Sequence, residues 1–408
     1  MLEQPSAFGS ELRRARLAAG LSLTQLASLV HYSKAQLSKV ETGRKRPTEE
    51  LARLCDARLR TGGRLLEFLP DRAAGSVEPP RRRSLVTAGA ATVLAMAPLA
   101  GRDHPPGAED GTLLEVSRAL FDQFRRLGQT APPAAVLPAL AEQTRALRTL
   151  SARSGPRTGK GLLALSAHYA EFAGWMAQEA GAEETALSWT DQAVELAAAC
   201  GDSQLASYSL VRRGLMAYYA GDGAETIALA RAAQSGRASA RVRGLAAQRE
   251  AQGHALLGHY SACMHNLDRA REFLDRDARE SDGPTLGTTN LIDPVSMTTG
   301  WSLLDLGRPR EAAQALGREL SRVAEAALRT RARYGTRQAL AHALAGEIDQ
   351  ACALITDLLG TAYTVSSATI ALDLRRLARA LARHRTHPAV RELSPLLAFA
   401  LAPATPSQ

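Results

Sequence analysis

The 408-residue sequence predicts an all-α protein, with a small N-terminal helical bundle followed by a long array of helix pairs. Three observations carry this prediction. Apolar residues recur at helical spacing almost throughout, without the alternation that marks strands. Glycines punctuate the later part of the chain at Gly181, Gly221, Gly258, Gly307 and Gly346, at intervals of 40, 37, 49 and 39 residues, as in a repeat array. Charge is divided unequally: residues 1–83 carry 16 Lys and Arg against 9 Asp and Glu, and the remaining 325 carry 34 against 32. A compact basic head on a nearly neutral body points to a polyanion-binding module joined to something else.

The head spans residues 1–70. Leu12, Ala15 and the residues to Ala19 form a first amphipathic helix, which Gly20 ends. Ser22 is a good N-cap for a second helix containing Leu23, Leu26, Ala27 and Val30. After a break at His31 and Tyr32, Ser33 caps a third helix from Lys34 to Glu41, with Leu37 and Val40 on its inner side. A basic loop, Arg44-Lys45-Arg46-Pro47, precedes a fourth helix carrying Leu51, Leu54 and Cys55. Two short helices joined by a three-residue turn in a basic context form a helix-turn-helix signal.

Arg16, Gly20-Leu21-Ser22, Leu26-Ala27, Ser33, Leu37-Ser38, Val40-Glu41-Thr42-Gly43 and Pro47 together resemble the Cro/CI-like (XRE) family of transcriptional regulators. In that family the third helix enters the major groove. The resemblance places Lys34, Ala35, Ser38 and Lys39 against bases, with Gln36 near a base or phosphate. It implies that Ser22, Ser33, Arg44, Lys45 and Arg46 grip phosphates of double-stranded DNA. One position departs from the pattern: Leu23 stands where the family usually has Gln, so Ser22, Thr24 or Arg13 would replace a phosphate contact.

Residues 71–110 read as a linker with an internal apolar segment. Arg81-Arg82-Arg83-Ser84 followed by Leu85–Ala100 looks like a twin-arginine export signal. Its internal position behind a DNA-binding module argues against export, and sixteen residues with Gly89 and Pro98 are short for a membrane span. Burial against the body or a second copy fits the segment better, and no stable membrane insertion is expected.

Residues 111–408 form the repeat body. Small residues recur seven before the turn glycine (Gly174, Gly214, Ala251, Gly300, Ala339) and five after it (Ala186, Thr226, Cys263, Ala312, Ala351), which lets paired helices approach closely. The pattern resembles tetratricopeptide (TPR) repeats with a longer period. A TPR register places the residues 13, 10, 6, 3 and 2 before each turn glycine on the inner surface. Those include His168, Glu171, Trp175, Tyr208, Tyr218, Gln248 and Trp301, a set rich in aromatics for a chain only 4% aromatic. An apolar-aromatic groove with a few polar groups suits a peptide or small-molecule effector. Repeat-to-repeat packing would use the same aromatics.

No phosphate loop, nucleophile elbow or metalloprotease motif appears, and the four cysteines lie far apart. No catalysis, cofactor or metal site is expected. Close in sequence, His254, His259 and His265 match no ligand spacing. Head and body together resemble peptide-responsive regulators of the RRNPP group in architecture. The resemblance implies a homodimeric, cytoplasmic, nucleoid-associated transcriptional regulator whose array senses an effector. Arginine outnumbers lysine 46 to 4, which suggests a GC-rich, actinobacterial source. A DNA-tethered scaffold whose array binds a protein partner remains the alternative.

Overall fold

The structure, a computed structural model, describes residues 7–30, 34–43, 47, 49–59, 61, 63–68, 108–280 and 285–402. All regular structure among them is helical. The chain divides into two compact units, Met1–Arg82 and Arg83–Gln408. The twin-arginine-like segment lies outside the described residues.

The first unit contains helices Ala7–Ala18, Leu23–Leu29, Lys34–Glu41, Glu49–Leu59 and the short Arg64–Glu67. They enclose a core of Phe8, Leu12, Leu26, Val30, Leu37, Val40, Leu51, Cys55 and Leu65. Ser22 and Gln25 cap each other's backbone: the Gln25 N–H donates to Ser22 Oγ at 3.2 Å, and the Ser22 N–H donates to Gln25 Oε1 at 2.8 Å. That reciprocal box fixes where the second helix starts. Across the bundle Arg16 grips Glu41 through two hydrogen bonds, of 2.6 and 2.9 Å, and donates a third, of 2.8 Å, to the Leu21 carbonyl. One buried side chain thus ties the first helix to the end of the third and to the turn before the second. Gly9 sits where a Cβ would lie 2.4 Å from the Val40 carbonyl oxygen, so only glycine lets these helices meet so closely.

In the second unit two helices, Ala108–Thr130 and Pro133–Ser151, precede five helical hairpins. The hairpins pair Pro156–Glu179 with Glu183–Cys200, Gln204–Tyr219 with Gly223–Gln234, Ala240–Leu256 with Tyr260–Glu280, Pro294–Asp305 with Pro309–Leu320, and Leu328–Leu344 with Ile348–Val365. Helices Ala368–Leu381 and Pro388–Leu401 complete the unit. Each of the five turn glycines has φ between 73° and 84°, the left-handed region that a side chain disfavours. Each turn closes with the same bond, from the N–H after the glycine to the carbonyl five residues back, such as Ala182 to Ala177 and Glu347 to His342. The spaced glycines therefore report turns, and the small residues around them report close packing: a Cβ on Gly300 would lie 2.9 Å from Leu316.

The array curls until its end meets its beginning. Helix Leu328–Leu344 packs on Ala108–Thr130, and Ala368–Leu381 packs on Pro156–Glu179. A polar latch closes this seam. Arg329, 1% exposed, donates to the carbonyls of Gly128 (2.7 Å), Ala131 (2.6 Å) and Val365 (3.0 Å) and pairs with Glu179 at 3.1 Å. Glu179 also takes an ion pair from Arg333 and hydroxyl hydrogen bonds from Ser367 (2.6 Å) and Thr369 (3.1 Å). Burial pulls the Glu179 carboxyl upward, but Arg333 and Arg329 outweigh it and hold the group below its ordinary value.

Candidate functional site

In the first unit the third helix is the candidate DNA-reading element. Leu37, Val40 and Glu41 are buried and define its inner side, while Lys34 and Lys39 are exposed and Ser38 is half-buried. At about 100° per residue, Lys39 stands opposite the buried side, with Ser38 and Lys34 toward one flank. Ala35 and Gln36 lie on the same helix. Ser22 is exposed at the start of the second helix, its Oγ already accepting the Gln25 N–H, so only its hydroxyl proton is available to a phosphate. Ser33 and the basic loop Arg44, Lys45 and Arg46 lie outside the described residues.

In the second unit the curled array encloses a cavity of about 170 Å³. Six of the seven expected groove residues stand on its wall: His168, Glu171, Trp175, Tyr208, Gln248 and Trp301. Tyr218 lies behind the wall, where its hydroxyl accepts the Trp301 indole N–H and donates to Asp305. All five positions 13 before the turn glycine line the cavity, as do most of those 10 and 6 before it. Those 3 and 2 before it do not, because they lie at the turn end of the hairpins; Leu344 there is 49% exposed.

Two features of the wall escape the repeat register. The insertion between the third and fourth hairpins folds inward: residues 285–291 line the cavity. Arg125 holds the carbonyls of Thr285 (2.9 Å) and Gly287 (2.7 Å), and Arg241 holds that of Leu286 (2.9 Å). The second is a further inward position, nine residues before the turn glycine, which brings Phe172, Arg212, Arg249 and Thr298 to the wall. Arginine recurs at that offset in three of the five hairpins, as Arg212, Arg249 and Arg337, and that recurrence was a readable signal.

The wall is cationic. Arg125, Arg212, Arg249, Arg329 and Arg333 line it, against one carboxylate among the described lining residues, Glu171. Burial pushes the Glu171 carboxyl up, against the pull of Arg212, 3.6 Å away, and Arg125. Burial pushes His168 down, which leaves its imidazole neutral at neutral pH. Behind Trp301 the Arg337 guanidinium lies 3.3 Å from the ring centroid and 2.7 Å from Asp373, holding the indole in one orientation. His254 and His259 face each other at 3.4 Å, away from this wall. Among the described residues no group of three or more His, Cys, Asp or Glu is placed to hold a metal ion, and no helix is long and apolar enough to cross a membrane.

Residues 7–69 match the family model described as a helix-turn-helix domain. The first unit is therefore a helix-turn-helix domain, a DNA-binding module. No curated protein matches the chain. Among solved structures, that of Bacillus thuringiensis PlcR in complex with the peptide PapR7 and DNA is 12% identical. The match covers 66% of this chain and 95% of that one, at a TM-score of 0.25.

Proposed function

We propose that the chain is a sequence-specific DNA-binding regulator whose repeat body binds an effector in its central cavity and, as a homodimer, transmits occupancy to the DNA-binding heads. One observation carries this reading. A chain headed by a helix-turn-helix domain encloses, in its other unit, a cavity walled by all five hairpins together with the Ala108–Thr130 helix. An occupant touching so many elements biases how tightly the array curls, and the buried latch at Glu179 gives that curl a discrete closed state. A cavity of about 170 Å³ takes a small molecule or a few side chains of a peptide, which favours an effector over a folded protein partner. One helix-turn-helix makes few contacts, so two heads reading half-sites about 34 Å apart supply affinity and specificity. Acting on DNA places the protein at the nucleoid.

The test is DNA affinity with the cavity empty and filled. Genomic fragments selected on the full-length protein are titrated with and without compounds that raise its melting temperature. A compound that saturates the cavity and leaves affinity for the selected fragments unchanged would refute the regulatory reading. Sedimentation at working concentration checks the dimer, and a monomer on a single half-site removes that part of the proposal.

In the head, Lys34→Ala and Lys39→Ala are each expected to weaken binding to the preferred fragment by about 1–3 kcal/mol while altering binding to unrelated DNA less. Equal losses on both kinds of DNA at matched salt would place the two lysines on phosphates instead of base edges.

A further inference from the structure

The cavity wall is short of acceptors. Four of its lining side chains bury an N–H that finds no hydrogen-bond partner: Arg212 Nε, Arg249 Nε, Arg333 Nε and Gln248 Nε2. Among the described lining residues no buried acceptor is left in that state. An orphaned buried donor costs free energy, and an orphaned buried cation costs more. The imbalance therefore favours an occupant that brings acceptors.

Charge leads to the same place. Arg329 and Arg333 share Glu179, and Arg125 is held by the carbonyls of Thr285 and Gly287. Arg212, 6% exposed, reaches Glu171 only at 3.6 Å and otherwise donates to Gln178. Arg249 pairs with no carboxylate among the described residues; its one hydrogen bond goes to the Gln252 side-chain oxygen. Burial brings its guanidinium down to about 10, against an upward pull from Tyr219, Tyr208 and Tyr334. Gly214 leaves room for this side chain, since a Cβ there would lie 3.0 Å from Arg249 Cγ. Gln248, 7% exposed, adds its amide from the same helix. Phe172, Trp175, Trp301 and Tyr334 also line the cavity, rings that receive an apolar body.

We propose that the cavity takes a ligand with an oxyanion on an apolar, ring-sized body, the oxyanion being held by Arg249, Arg212 and Gln248. This inference rests on the cavity being the effector site and names the chemical class it admits. A carboxylate or phosphate supplies acceptors where the wall has only donors, and its charge offsets the uncompensated guanidinium. A neutral amide of the same shape offers one carbonyl acceptor but no charge to offset the guanidinium.

The experiment measures the melting temperature and tryptophan emission of the full-length protein with five probes. These are phenylacetate and phenylacetamide, N-acetylphenylalanine and its amide, and phenyl phosphate. Trp175 and Trp301 line the cavity, so emission reports where a probe sits. The three acids are expected to raise the melting temperature and shift the emission, and the two amides to do neither. A larger response to phenyl phosphate assigns a phosphate, a larger response to phenylacetate a free acid, and a larger response to N-acetylphenylalanine a peptide C-terminus.

Arg249→Met is expected to weaken acid binding about tenfold or more and to leave the ligand-free melting temperature unchanged or higher. A merely structural arginine would lower it on removal. Arg249→Gln, which keeps a donor, serves as the second variant. Amides that act as well as acids, acids that act as strongly on Arg249→Met as on the wild type, or no response to any acid each overturn the inference. DNA affinity separates the two proposals. A neutral compound that binds and shifts DNA affinity removes the oxyanion and leaves the regulator. An acid held by Arg249 that leaves DNA affinity unmoved does the reverse.

Discussion

Replacing Glu179 by alanine is expected to destabilise the repeat body by about 3–5 kcal/mol, because it strands two buried cations at once. Arg329 is 1% exposed and has three carbonyl partners but, among the described residues, no other carboxylate; Arg333 has Glu179 as its ion-pair partner. Ser367 and Thr369 lose their acceptor with them. All three tryptophans, Trp175, Trp189 and Trp301, lie in the body, so urea unfolding followed by their emission reads this unit alone. Geometry by itself does not set the size of the effect. The pair between Arg213 and Asp191 is close at 2.6 Å, but its side chains are 42% and 56% exposed, so Asp191→Ala is expected to cost under about 1 kcal/mol. If the two variants unfold at similar urea concentrations, the latch does not hold the ring closed.

The same carboxylate sets an acid limit. A group held below its unfolded value of about 4.5 contributes stability that is present above that value and is lost as pH falls through the folded one. Wild-type protein therefore loses this contribution below about pH 4.5, whereas Glu179→Gln lacks it at every pH. A urea midpoint that falls equally in the two proteins between neutral pH and pH 4 would assign the acid sensitivity to other groups.

What the sequence makes legible here is local. The five turn glycines stand out because a left-handed φ admits few other residues, and helix geometry then places His168, Tyr208 and Leu245 on one surface. In the head, Leu37 and Val40 mark the buried side of the third helix, and Lys39 falls on the outer one with Lys34 exposed on a flank. What escapes is whatever depends on distance along the chain. Nothing in the neighbourhood of Glu179 announces Arg329, 150 residues later, so ring closure and its latch are invisible to periodicity. The insertion has no repeat register, so only the structure shows residues 285–291 folding onto the wall through carbonyls that Arg125 grips from 160 residues away. Arg212 and Arg249 sit one residue beyond the expected inward positions Val211 and Gln248. An inner surface assigned only at fixed offsets passes over the two cations that give the cavity its character.

Arg16→Ala is expected to abolish DNA binding by the full-length protein without touching any residue of the reading face. The reason is scale. A head of roughly 60 residues has a small core and correspondingly little stability to spare. Removing Arg16 leaves Glu41, 8% exposed, as an unpaired carboxylate inside it and frees the Leu21 carbonyl in the turn. The expected cost of about 3–5 kcal/mol is comparable with the whole stability of such a unit. Binding to the selected fragment should fall by at least about a hundredfold, while the tryptophan-monitored melt of the body stays where it was. Glu41→Ala should behave alike, since it strands the arginine instead. The double variant Arg16→Met with Glu41→Leu decides the cause: it removes both charges together and fills the space, so it should recover much of the binding that either single change destroys. If the double variant binds no better than the singles, the arginine contributes through the Leu21 turn or through DNA itself, and the buried pair is not what positions the reading helix.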